Sequence, residues 1–132
     1  MIQKHVQKLH TALYLIFRVL VGLLFAQHGA QKLFGAFGST AQPLMSLMGV
    51  VGIIELVGGI AIALGLFTRL FAILCAIVMI GAYIKVHASQ GLIPIVNKGE
   101  LALLYLAAFL MLTAHGNGKF SLEQAIFKKE MF

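Results

Sequence analysis

The chain contains no aspartate, and its only acids are Glu55, Glu100, Glu123 and Glu130. Charged residues of both signs make up 11% of its 132 positions, against roughly a quarter in a soluble domain. Apolar residues make up 61%. A soluble chain of one-domain length cannot cover that much apolar surface, so the composition excludes a soluble globular protein and leaves an integral membrane one. There is one cysteine, Cys75, inside an apolar run. A single cysteine excludes an intramolecular disulfide, a Cys-x-x-Cys pair, a covalent haem attachment and an iron–sulfur motif, and its surroundings make it a small buried hydrophobe. A Walker motif, a nucleophile elbow and a dinucleotide fingerprint are also missing, and the glycines of GGIAIALGL belong to apolar helix. The net charge is +6, but the basic residues are dispersed and no stacking aromatics accompany them, which argues against nucleic acid.

What is present is four apolar segments, read as a single transmembrane domain over residues 1–132 with an all-α, four-helix architecture. They run over about residues 9–30, interrupted by Arg18; 43–67, interrupted by Glu55; 70–87, with the apolar part ending near Lys85; and 97–114. A span needs roughly 20 residues. The last two have shorter apolar cores, and snorkelling of Lys85 and Glu100 makes up the length. The basic N-terminus is kept as part of the first span, because the apolar run continues past any signal-peptide core and carries Arg18.

Local signals place the boundaries. Pro43 suits the first turn of the second helix. Thr68-Arg69 is a tight connection that makes helices two and three antiparallel neighbours. Asn97 and Glu100 fit a capping box opening helix four, which Gly116-Asn117-Gly118 ends. Ser121 and Gln124 fit a second capping box, opening a short tail helix in SLEQAIFKKEMF. There Leu122, Ile126, Phe127 and Met131 alternate with Lys128 and Lys129, as in an amphipathic helix lying at the membrane interface. With four spans both termini share one side. That side collects Lys4, Lys8, Arg69, Lys119, Lys128 and Lys129, against Lys32, Lys85 and Lys98 on the other. The positive-inside rule then predicts cytoplasmic termini in a bacterial or archaeal cytoplasmic membrane.

Arg18 and Glu55 lie inside spans, where an isolated charge costs about 2.5–3.5 kcal/mol. Such residues face the bundle interior and find partners. At 1.5 Å per residue, Arg18 lies roughly 12 Å and Glu55 roughly 18 Å from the same membrane face, which predicts an Arg18–Glu55 pair. Arg18, Gly22, Phe25, Gly29 and Lys32 form one stripe on helix one. Gly49, Gly52, Glu55 and Gly59 form another on helix two. Glycine stripes allow close helix packing, and they also leave room for a flat ligand.

The far ends of the helices gather Gln27, His28 and Lys32, then Tyr83, Lys85 and His87, then Lys98 and Glu100, with Tyr83 and His87 sharing a face at i,i+4. Titratable groups that converge in a low-dielectric cleft are functional-site candidates. His28, His87, Glu55 and Glu100 show no metal-ligand spacing, and no Glu-x-x-His motif occurs, so no metal is expected.

The order Arg18, then HGAQKLFG, then ELVGGIAIALGLFTR, then GNGKFSLEQAI resembles the DoxX family of small four-helix membrane proteins over nearly the whole chain. Lys119 and Glu123 stand where the family pattern leads one to expect Arg and Asp. The resemblance implies a four-helix membrane bundle linked to membrane redox chemistry or the oxidative-stress response. The founding member is named as a subunit of a thiosulfate–quinone oxidoreductase. By position, the family's polar set falls on Arg18, His28, Lys32 and Glu55.

These readings combine into one expectation. A quinone- or phenol-like ligand sits in the bundle near the outer face, with Glu55 and His28 as the catalytic candidates. Arg18, Phe25, Lys32, Tyr83, His87 and Glu100 are the ligand-binding candidates. The electrons for a quinone come from outside the chain, from a partner redox subunit, a bound flavin or haem, or a soluble reductant. The alternatives are a non-enzymatic adaptor or lipophile-binding protein whose polar cluster is structural, and an exporter assembled as a homo-oligomer.

Overall fold

The computed structural model describes residues 1–131; Phe132, the last residue of the expected tail helix, lies outside them. The order is α1 (Ile2–Phe34), α2 (Leu47–Leu64), α3 (Thr68–Ala82), α4 (Pro94–Asn97), α5 (Glu100–His115) and α6 (Leu122–Phe127). Helix α3 continues through a π-helical turn, Tyr83–His87, and a 3-10 turn, Ala88–Gln90. Three helices, Ile2–Phe34, Leu47–Leu64 and Thr68–Gln90, are long and apolar enough to cross a membrane, and Glu100–His115 is a shorter apolar helix. Together they form an integral membrane four-helix bundle. Its outward faces carry exposed Leu20, Leu23, Val57, Ile60, Ile73 and Ile77, an arrangement that suits lipid rather than water.

Helix ends follow recognisable chemistry. Ser46 caps α2, its hydroxyl accepting the Gly49 N–H at 3.1 Å. Pro43 therefore lies before α2 rather than in its first turn; its carbonyl accepts the Ser46 N–H at 3.0 Å and shapes the approach. Gly65 ends α2 in the left-handed region, φ 72°. The Gly65 and Leu66 N–H groups donate to Ile62 and Ala61 carbonyls, at 3.0 and 2.8 Å, and the chain reverses into α3 within three residues. The cap of α5 is Gly99, without a side-chain bond, and Asn97 is not its capping residue. The expected second box is half-formed as a cap: Ser121 accepts the Gln124 N–H at 3.1 Å. Helix α1 begins at Ile2, well before the predicted residue 9. Its 33 residues span about 50 Å, so its first turns project past a hydrocarbon core of roughly 30 Å.

The bundle is built from two close pairs, α1 with α2 and α3 with α5, which meet each other more loosely. Glycine makes the first pair. A Cβ on Gly22 would stand 2.5 Å from the Ala63 nitrogen and the Gly59 oxygen, and one on Gly29 would stand 2.4 Å from the Leu56 nitrogen. The two glycine stripes therefore lie backbone on backbone. No flat slot separates them, contrary to the sequence expectation. The main core, with Phe25, Ile62, Cys75, Phe109 and Leu112, fills the space between the pairs.

Candidate ligand site

Each end of the bundle gathers polar side chains, and the two gatherings differ. At the end where the C-terminal tail packs, Arg18 is 2% exposed. Its guanidinium donates to the Asn117 carbonyl, the Phe120 carbonyl at 2.7 Å and the Ala63 carbonyl at 3.3 Å. Asn117 accepts from the Thr68 hydroxyl and donates to Glu123. The fully buried Glu123 also accepts N–H groups of Phe67 at 3.2 Å and Met131 at 3.0 Å. Arg69 donates to the last carbonyls of α5, at Thr113, Ala114 and His115, and pairs with Glu130 at 3.4 Å. Burying Glu123 pins the tail onto the bundle end, so α6 is a plug over that end as well as a helix with exposed Ile126 and Phe127.

Arg18 does not pair with Glu55. The glycine contacts set Arg18 opposite Ala63, eight residues, or about 12 Å, along α2 from Glu55. Side chains also lean toward the N-terminus of their own helix. In an antiparallel pair, Arg18 and Glu55 therefore lean apart. The same tilt brings Lys32 and Glu55 together, and their Nζ–Oε2 distance is 2.7 Å. Glu55 is 3% exposed, whereas the Lys32 side chain is a quarter exposed.

Beside this ion pair is a cavity of about 230 Å³. Helix α1 contributes Phe25, His28 and Lys32; α2 contributes Glu55; α3 and its π turn contribute Met79, Ala82 and His87; the α5 side contributes Lys98, Leu101, Ala102 and Tyr105. Phe25 fixes the aromatic wall, 5.1 Å from Tyr105 and edge-on to Phe109 at 4.7 Å. The His28 ring meets Tyr105 edge-on at 5.8 Å. Tyr83 and His87 keep the expected shared face through the π turn, their rings 6.3 Å apart and tilted. His87 turns to the cavity, while Tyr83 accepts a hydrogen bond from Asn97 at 3.1 Å and lies outside it.

Asn97 is the positioning residue of this end and is fully buried. Its side chain donates to Tyr83 and to the Gly91 carbonyl at 3.0 Å, and accepts the Gly99 N–H at 2.8 Å. Its backbone carbonyl meets His87 Nδ1 at 3.0 Å. A carbonyl only accepts, so Nδ1 is assigned the hydrogen, and neutral His87 presents Nε2 as an acceptor. Among the described residues, the His28 ring, the Tyr105 hydroxyl and the Lys98 ammonium have no hydrogen-bond or ion-pair partner in the protein. With Lys32, Glu55 and Lys98 ionised, the cavity carries one surplus positive charge, which favours an electron-rich oxygen.

The structure thus brings together Phe25, His28, Lys32, Glu55 and His87 of the predicted set. Arg18 lies at the opposite end, Tyr83 is turned away to Asn97, and exposed Glu100 opens α5 without lining the cavity. Lys98, already part of the predicted gathering at this end, also lines the cavity, and Tyr105 and Asn97 are additional. In sequence Tyr105 reads as one more apolar position of ELALLYLAAF, and Asn97 reads as a cap. No three His, Cys, Asp or Glu side chains converge as metal ligands among the described residues.

Comparison with known proteins agrees with this architecture. A Haemophilus influenzae protein named only as uncharacterized is 38% identical over 122 residues, covering 85% of this chain and 89% of its own. A Bacillus subtilis protein named "Putative oxidoreductase CatD" is 34% identical over 120 residues, covering 86% of this chain and 87% of its own. An uncharacterized membrane protein of Mycobacterium tuberculosis is 29% identical over 130 residues, covering 85% and 80%. No solved structure matches significantly. The DoxX family model matches residues 13–88, which hold the α1–α2 glycine contact, the Lys32–Glu55 pair and the π turn. On that match, which covers more than half of the chain, the protein belongs to the DoxX family.

Proposed function

We propose that this DoxX protein binds the head of a quinone- or phenol-like lipophile in the cavity beside Lys32–Glu55 and positions protons for its redox chemistry. The observation that carries this reading is the set of unanswered polar groups on an aromatic wall. His28, Tyr105, Lys98 and His87 Nε2 converge on one small cavity without protein partners. Its volume of about 230 Å³ is below the roughly 300–1,000 Å³ of pockets for drug-sized molecules, which favours a single ring over a flavin or haem. Phe25 and Tyr105 supply flat apolar surface for such a ring. Lys32, Lys98 and the Tyr105 hydroxyl donate to a carbonyl or phenolate oxygen, and His87 Nε2 accepts from a hydroxyl.

Reduction of a quinone to a quinol takes up two electrons and two protons. Glu55 and His28 are the residues for proton transfer. The electrons come from a partner redox subunit or a soluble reductant. The name of the Bacillus subtilis relative supports a redox role. The six basic residues on the side of the termini support a cytoplasmic placement for them, with the cavity at the outer face of the membrane.

The test is purification in detergent, mass spectrometry of co-extracted lipophiles, and titration with a water-soluble benzoquinone. Saturable binding that weakens tenfold or more in Glu55→Gln and His28→Ala is the expected result. The reading fails if no lipophile is recovered and both variants change thermal stability alone. That outcome would favour a non-enzymatic membrane protein whose polar cluster is structural.

A further inference from the structure

A second cavity, about 420 Å³, lies on the other side of the Lys32–Glu55 pair, between α2 and α3. Lys32, Glu55 and Ala82 line both spaces, so the two chambers share one wall. The second chamber is otherwise almost wholly apolar. Met48 and Val51 form its α2 side, Val78 and Gly81 its α3 side, and Lys85 provides its one further charge. It follows the seam where the two helix pairs meet loosely, whose outward faces are apolar. A polar chamber and an apolar chamber that adjoin across a wall of Lys32, Glu55 and the small Ala82 match a molecule with a ring head and a flexible hydrocarbon chain.

We propose that the ligand is such an amphiphile. Its head occupies the polar chamber, and its alkyl or isoprenoid tail runs past Ala82 into the α2–α3 groove, which opens sideways toward lipid. This rests on the reading of the polar chamber as a head site. It adds a tail subsite and a lateral route, and it gives the Lys32–Glu55 pair a place in that route. Glu55 is fixed by burial, whereas Lys32 is a quarter exposed on a flexible stem. Lys32 is therefore the movable half of the wall. Its ammonium exchanges the carboxylate for the ligand's oxygen as the head passes.

Gly81 provides the test. It lines the apolar chamber, and a Cβ built on it meets nothing within 4 Å. The backbone at Gly81 leaves room for a side chain to start into the groove, so Gly81→Phe is chosen to occupy it, and replacing an exposed helical glycine does not weaken the helix. Wild type and variant are compared in identical nanodiscs with two probes, a tailless dimethoxybenzoquinone and its decyl homologue. The ratio of variant to wild type in the same bilayer cancels partitioning of the probe into lipid. The expected result is at least a tenfold weaker decyl probe in Gly81→Phe, with the tailless probe unchanged within twofold. Equal loss of both probes, or loss of neither, overturns the tail subsite and leaves the head site standing. If neither probe binds wild type, the head site itself fails and the tail subsite with it. A diazirine-tailed quinone on the unmodified protein gives an arm that needs no variant. Labelling of Met48, Val51 and Val78 that excess tailless quinone abolishes supports the subsite. Labelling that the competitor leaves unchanged identifies a bilayer chain only, and overturns it.

Discussion

The two ends of the bundle hold similar residue types to different effect. At the tail end, Arg18, Asn117 and Glu123 are each less than 3% exposed, and nearly every donor among them meets an acceptor in the protein. Two buried atoms at this end lack a partner, Arg18 Nε and, at the last residue of α5, His115 Nδ1. At the opposite end, Glu55 is equally buried, but the groups around it are left unanswered beside a cavity. Buried polar groups cost free energy unless they are bonded. Where the chain supplies the partners, polarity holds a segment down. At the cavity end, half-buried His28 and exposed Lys98 have no partner in the protein and stay open to one from outside. Burial of charge alone therefore does not distinguish a lock from a site; open space beside groups without partners does.

The largest way to break this arrangement is to remove what keeps the ends apart. Gly22→Leu or Gly29→Leu forces a side chain into the opposing backbone of α2. Both variants are expected to lose the folded bundle, visible as aggregation in size-exclusion chromatography in detergent. A monodisperse Gly29→Leu protein with wild-type stability would contradict the backbone contact.

Next is the lock. Glu123→Ala strips partners from the Asn117 amide and from two backbone N–H groups, and is expected to cost about 3 kcal/mol or more. Thermal unfolding reads this as a large fall in Tm, and proteolysis of the tail should precede it. Head binding by the fraction that stays folded should be unaffected; if it falls in parallel, the two ends are coupled.

Glu55→Gln reverses the pattern. It keeps the shape and removes the charge, and Lys32 can turn to water, so stability should fall by only about 1–2 kcal/mol. Binding of a benzoquinone should fall tenfold or more. A Tm loss as large as that of Glu123→Ala, with binding intact, would make the pair a second lock.

The smallest effect is expected from Tyr105→Phe. Its hydroxyl has no protein partner, so stability should stay within about 0.5 kcal/mol. One lost hydrogen bond of about 0.5–1.5 kcal/mol predicts two- to tenfold weaker binding, measurable by titration calorimetry.

Much of the frame was legible from local pattern. Apolar run length gave the helices, the Ser121 cap gave the tail helix, and the short Thr68 connection gave the α2–α3 reversal. His28, Lys32 and Glu55 were found because a charge or histidine among apolar residues is conspicuous. Tyr105 and Asn97 were not. A tyrosine in an apolar helix looks like core until its hydroxyl is seen to end in a cavity, and Asn97 serves partners up to fourteen residues away. The Arg18–Glu55 pairing failed for a definite reason. Depth along the two helices puts Arg18 and Glu55 nearly level, but the direction in which each side chain leans carries them apart.

The sequence by itself determined the solvent and the parts: a lipid-facing chain of apolar helices, glycine-striped where two of them meet, with a few polar groups that must be buried. Helical period and the cost of charge in hydrocarbon suffice for that. Which charge meets which was decided only by the tertiary structure. The glycine contacts set the register of α1 on α2 to within a fraction of a turn. Antiparallel tilt then sent Arg18 to the tail and Lys32 to Glu55. The π turn and Asn97 aimed His87 at the space beside them. A cavity is the volume that packing leaves between elements, and no single segment of the chain encodes it.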